Sequence, residues 1–144
     1  MVDFKNCMDK AAAEMGVNFK GLLIQKASIK NGVGRIAEDI LGWDCLIQGI
    51  NRECYEFYVP ELGHIWHPLI IRKECPIGIR IIDSYKVDFK EAIKIFHEYT
   101  HEEWFVAMRL SWPLTPECLE PYWHIRSITG EEVAIGADSG TPST

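Results

Sequence analysis

The sequence lacks any apolar run approaching the roughly 18–20 residues that cross a bilayer as a helix, so no membrane span is expected. It also lacks a basic stripe. Lys and Arg number 15 against 21 Asp and Glu, a net charge of −6, which is the wrong field for a phosphate backbone and argues against nucleic acid as the main partner. There is no C-x-x-C. The cysteines at 7, 45, 54, 75 and 118 are odd in number and widely spaced, so they are expected as buried or half-buried thiols rather than as a zinc site or a structural disulfide. The first residues, MVDFKNCMDKAAAEMG, carry acids and no apolar signal core, and a cytoplasmic protein is expected. Gly32-Val33-Gly34 is no phosphate loop, because the Gly-Lys-Ser/Thr ending is missing.

What remains is an aromatic-rich chain, 47% hydrophobic and 25% charged, which suits a folded domain and excludes wholesale disorder. Phe4, Cys7, Met8, Ala11, Ala12 and Met15 form one helical stripe over residues 3–16. Residues 19–29 fit either a strand or a helix. Val33, Ile36, Ala37, Ile40 and Leu41 favour a second short helix, against the glycines at 32, 34 and 42. From Asp44 the pattern becomes β-rich: DCLIQGI, YEFYVPE, HIWHPLIIRKE and IGIRIID, with Glu61-Leu62-Gly63 as a hairpin turn and Ile77, Ile79 and Ile81 on one buried face.

Residues 87–101 give the clearest helix, with Asp88 as N-cap and Glu91 three residues on. Three strands follow, WFVAMRLSWPL, PYWHIRSI and the run from Glu131, and the TPST tail is expected to fray. The pattern predicts one α+β domain over residues 1–140. Two or three helices would pack on a curled antiparallel sheet, with helix-then-meander order in the second half. A shared helix-then-strands order suggests two sub-lobes, 1–84 and 85–140.

The ending EPYWHIRSITGEEVAIGADSG, with the preceding helix and WFVAMRLSW, resembles the last hairpin of PepSY-type and similar cystatin-like small domains over roughly residues 85–140. The resemblance implies a binding, chaperone-like or inhibitory module with no catalytic residues to transfer.

One pattern points elsewhere. His97-Glu98-Tyr99-Thr100-His101 is an H-E-x-x-H. In zinc hydrolases the two histidines share a helix face and ligate one ion, and the Glu is a general base for the bound water. A third ligand would come from Glu120 or His124, which fall in a turn and on a strand rather than on a second helix. Helical phase groups Phe89, Ala92, Ile93, Phe96 and Tyr99 on the apolar side and sets His97 and His101 beside Lys90 and Lys94, a cationic setting for a dication. Glu102 and Glu103 follow at once, where a helix end is expected. A solvated helix terminus is the plainer reading.

His64 and His67 stand three apart on a strand, hence on opposite faces, and read as packing beside Trp66 and Pro68. His124, between Trp123 and Ile125, reads as a half-exposed sheet residue. Of Trp43, Tyr55, Phe57, Tyr58, Trp66, Trp104, Trp112, Tyr122 and Trp123, not all fit in a small core, so some are free to line a ligand groove or an interface. The sequence therefore predicts a non-enzymatic binding or protein-interaction module without a cofactor. Its partner would be a protein or a small apolar or aromatic ligand, and an aromatic-rich sheet face would suit a homodimer. The alternative is a small zinc hydrolase with Glu98 as base and His97, His101 and Glu120 or His124 as ligands.

Overall fold

The β-rich pattern begins at Phe19, well before Asp44. The fold is seen in a computed structural model, which describes residues 19–61 and 70–144. The strands are β1 (Phe19–Ile29), β2 (Ile40–Gly49), β3 (Cys54–Pro60), β4 (Ile71–Lys73), β5 (Ile79–Arg80), β6 (Phe105–Pro113), β7 (Tyr122–Ser127), β8 (Glu132–Gly136) and β9 (Pro142–Ser143), with helix α1 (Phe89–Thr100) between β5 and β6. The pairing is antiparallel, in the order β4-β3-β2-β1-β6-β7-β8-β9, and β5 pairs with β6 off that path. Two meanders, β1 to β4 and β6 to β9, thus lie back to back and share one sheet through β1 and β6.

Two adjacent cross-strand rows show how the sheet divides its faces. Phe57, Cys45, Gln25, Leu110, Trp123 and Ile135 are register partners from β3 to β8, and all are buried. One residue along, Tyr58, Asp44, Lys26, Arg109, His124 and Ala134 form the matching row on the opposite face, where the first four are exposed. Side chains alternate along a strand, so one row faces the core and the other faces outward.

Helix α1 covers the inner face. Asp88 caps it, its Oδ1 accepting from the Glu91 N–H at 2.9 Å. Phe89, Ala92, Ile93 and Phe96 are buried, each large side chain contributing on the order of 1.5–3 kcal/mol. Trp43 meets Phe89 and Trp123 at centroid distances of 5.3 and 5.6 Å, and Phe96 meets Phe105 edge-on at 6.1 Å. The Trp123 indole N–H donates to the Val87 carbonyl at 2.8 Å, which satisfies the polar atom of a fully buried ring.

Several expectations are corrected. Instead of two or three helices, the described residues hold one α-helix; the helix expected over residues 3–16 lies outside them, as do His64, Trp66, His67 and the turn at Leu62-Gly63. The second expected helix is a short 3-10 turn, Ala37–Asp39, running into β2. Its backbone finds other partners. Gly34 exchanges N–H···O bonds with Phe105 at 2.8 and 2.9 Å, and a Cβ on Gly34 would strike the Phe105 ring. Asp39 Oδ2 accepts from the Arg35 and Ile36 N–H groups at 2.8 and 3.1 Å, bonds that hold its pKa below the ordinary value.

Ile77 is 98% exposed rather than on a buried strand face, and it is Ile82 that enters the core. Tyr99 is exposed rather than part of the apolar stripe. Within the tail that was expected to fray, Pro142 and Ser143 pair with Ile135 and Ala134. Cys54 and Cys75 are joined in a disulfide, Cα atoms 5.2 Å apart, where free thiols were expected; β3 and β4 pair immediately beside them, which brings the two Cβ atoms together. No helix among the described residues is long and apolar enough to cross a membrane.

Candidate functional site

The helix end is built as a knot of backbone ties. Helix α1 stops at Thr100, and His101 takes a left-handed conformation (φ 58°) with its N–H on the His97 carbonyl. The two histidines are therefore not two turns of one regular helix face. Thr100 Oγ1 donates to the Phe96 carbonyl at 2.8 Å and accepts from the Glu102 N–H at 3.0 Å. Half-buried His97 places Nδ1 2.8 Å from the Glu102 carbonyl and Nε2 2.6 Å from the Arg35 carbonyl. Each ring nitrogen is directed at a backbone carbonyl oxygen, so neither is open to an ion in this arrangement.

The two acids after the motif are also engaged. Glu102 Oε1 accepts from the Thr129 hydroxyl at 3.0 Å, and Glu103 pairs with Arg35 at 3.2 Å. Glu98 and His101 are exposed. Chain order predicted a solvated flank for both histidines. It gave no sign of the 33–36 segment, which Gly34 pins to β6 and which covers His97.

The other proposed ligands lie elsewhere. Glu120 Oε1 accepts from the Asp138 and Ser139 N–H groups at 2.9 and 2.8 Å, clasping the turn after β8. Burial pushes its pKa up, but the Ser139 and Asp138 bonds outweigh that and leave it lowered. His124 occupies the outward row of β7, across the sheet from α1, whose partners Trp123 and Ile125 face inward. Among the described residues, no three His, Cys, Asp or Glu side chains gather as a metal-binding group.

The outward row holds the more suggestive arrangement. Lys26 and Arg109 are direct cross-strand partners on β1 and β6, two cations side by side in a chain of net charge −6. Like charges placed opposite each other on one face repel. Arg109 is followed across the sheet by His124, and Glu132 approaches all three neighbours: 3.9 Å from Arg109, 3.7 Å from His124 Nδ1 and 3.5 Å from Arg126. Burial first, then Arg109, lower the His124 pKa, opposed by Glu132. His124 Nε2 is buried and has no hydrogen-bond partner among the described residues.

A fork in the sheet gives this group a hollow. β1 and β6 pair only from Ile24–Ser111 to Lys26–Arg109. Beyond that β5 takes over the edge of β6, pairing Ile79 with Pro113 and Arg80 with Trp112, while Ile82 bridges to Leu22. Arg80 lies over the Trp112 ring at 5.5 Å, and the Leu114 N–H donates to the Gly78 carbonyl at 2.7 Å, which fixes the wedge. At the fork opens a hollow of about 380 Å³ with Ile24, Ile79 and Pro113 as apolar walls and Lys26, Arg109, Ser111 and His124 as polar lining. A second hollow of about 220 Å³ shares Lys26, Arg109 and His124 and extends to Arg126 and Glu132. A third, about 280 Å³, lies between Ile40, Leu41 and Phe89 on another side of the molecule.

Of the aromatic residues that were not all expected to fit in the core, Trp43, Phe57 and Trp123 are core, Tyr55, Trp112 and Tyr122 are half-buried, and Tyr58 and Trp104 are exposed. The sequence reading missed Lys26, Arg109 and Ser111. The alternation in WFVAMRLSW does place Arg109 and Ser111 on one face; what it could not supply was the partner strand.

No protein-family model matches the chain, and no curated protein or solved structure matches it significantly.

Proposed function

We propose that the protein is a non-enzymatic binding module that takes its ligand on the outward face of the sheet. The observation that carries this reading is the forked hollow, where Lys26, Arg109, Ser111 and His124 converge and His124 Nε2 has no hydrogen-bond partner among the described residues. Pockets that combine apolar walls with a few convergent polar groups are the usual form of a ligand site. The order α1, β6, β7, β8, β9 is in keeping with the proposed kinship to PepSY-type and cystatin-like domains, which would also make this a binding protein.

The alternative, a zinc hydrolase at His97–His101, would require His97 to release at least one of its two carbonyl partners. Metal analysis of the purified protein tests the two against each other. The binding reading expects no stoichiometric zinc and no response of thermal stability to added zinc. Stoichiometric zinc that is lost in His97→Ala would overturn it.

A further inference from the structure

We propose that the hollow at the β1–β5–β6 fork binds a small organic carboxylate, with the carboxylate between Lys26 and Arg109 and an apolar body against Ile24, Ile79 and Pro113. This rests on the reading of the outward face as the ligand site and adds the class of ligand.

Charge selects the head group. Four polar side chains line the hollow, and none is an acid: two cations, a hydroxyl and an imidazole. The cations are register partners on neighbouring strands, an arrangement that repels when empty and is relieved by a shared anion. Glu132 stands at the far side of Arg109, 3.9 Å from the guanidinium, so it competes for the same cation without filling the hollow. Ser111 is a buried hydroxyl facing outward, able to donate to a carboxylate oxygen.

The walls select the rest of the molecule. Ile24, Ile79 and Pro113 offer aliphatic surface, and the volume of about 380 Å³ is at the small end of the range for ligand pockets. A bare inorganic anion would leave those walls wet, and a neutral apolar molecule would place no anion between the two cations, whose other acidic neighbours, Asp44 beside Lys26 and Glu132 beside Arg109, stand outside the hollow.

The test is isothermal titration at neutral pH and low salt with three probes: isocaproate, its uncharged isostere isocaproamide, and inorganic phosphate. Isocaproate is expected to bind most tightly, with the amide about tenfold weaker or more, the scale of one charged hydrogen bond. Arg109→Gln, an exposed position whose folding is checked by its melting curve, is expected to lose about tenfold in isocaproate affinity, and Lys26→Gln to lose a comparable amount. Glu132→Gln is expected to bind more tightly, because a competitor for Arg109 is gone; a merely structural role for these side chains would not produce that opposite sign.

Equal binding of acid and amide, no binding of isocaproate, or unchanged affinity in both Arg109→Gln and Lys26→Gln would overturn the proposal. Phosphate binding as tightly as isocaproate would also overturn it, by removing the role of the apolar walls. These results concern the ligand class alone, whereas stoichiometric zinc at His97 would overturn the broader binding reading.

Discussion

The imidazole Nε2 of His97 lies 2.6 Å from the carbonyl oxygen of Arg35, a residue 62 positions away in the chain. With Nδ1 2.8 Å from the Glu102 carbonyl, the ring joins the end of α1 to the segment that Gly34 docks on β6. The H-E-x-x-H pattern thus supplies a structural tie, and its first histidine does the tying.

His97→Ala should destabilise the protein by about 1–3 kcal/mol, because two carbonyls that face the ring lose their polar neighbour. Urea unfolding measures this. Unchanged stability would mean that the ring contributes nothing to the joint.

His101→Gly should act in the opposite direction. The position is left-handed (φ 58°), a conformation that disfavours residues with a Cβ, and glycine there should raise stability by about 1 kcal/mol. A higher melting temperature is the expected result. A fall would show that the imidazole makes a contribution larger than the backbone strain it imposes.

Alkaline pH should weaken the fold through Tyr85. Tyr85 is partly buried against the core with Gln25 beside its hydroxyl, and burial pushes its pKa from 10.0 up to about 12. The unfolded chain therefore ionises first. The stabilisation is complete below pH 10 and declines as pH rises towards the folded value, by about 2–3 kcal/mol in total. Denaturant titrations across that window should show a decline that Tyr85→Phe flattens.

Acid should weaken it through His124. The pKa is lowered from 6.5 by burial and Arg109, so below that value the unfolded chain takes up the proton first. This contribution is fully present above pH 6.5 and falls away as pH drops. Glu132→Gln removes the carboxylate that opposes the lowering, so the decline should begin from the same pH and run deeper. Urea midpoints measured from neutral pH to mildly acidic pH give the comparison.

The sequence carried the second half of the fold well. The phase of Phe89, Ala92, Ile93 and Phe96 located α1, and alternation in WFVAMRLSW and PYWHIRSI located β6 and β7, because each element buries one periodic face. Residues 33–41 misled because their apolar spacing is helical while their backbone bonds go to Phe105 and to Asp39. The disulfide was hidden because Cys54 and Cys75 meet only through the pairing of β3 with β4.

The candidate site was the least legible part. His124 stood out as a possible ligand, but for the wrong partners. Lys26 and Arg109 are remote in sequence and become neighbours only through the pairing that joins the two meanders. No local pattern in either strand announces that register, and none announces that β5 wedges the strands apart.

The most direct test of the account is a histidine ring-nitrogen NMR spectrum, assigned with single histidine variants and recorded with isocaproate and then with equimolar zinc. The account predicts that the His124 ring signals shift with isocaproate, while those of His97 and His101 stay in place with zinc. Zinc-dependent shifts at His97 and His101, with His124 silent to isocaproate, would contradict it.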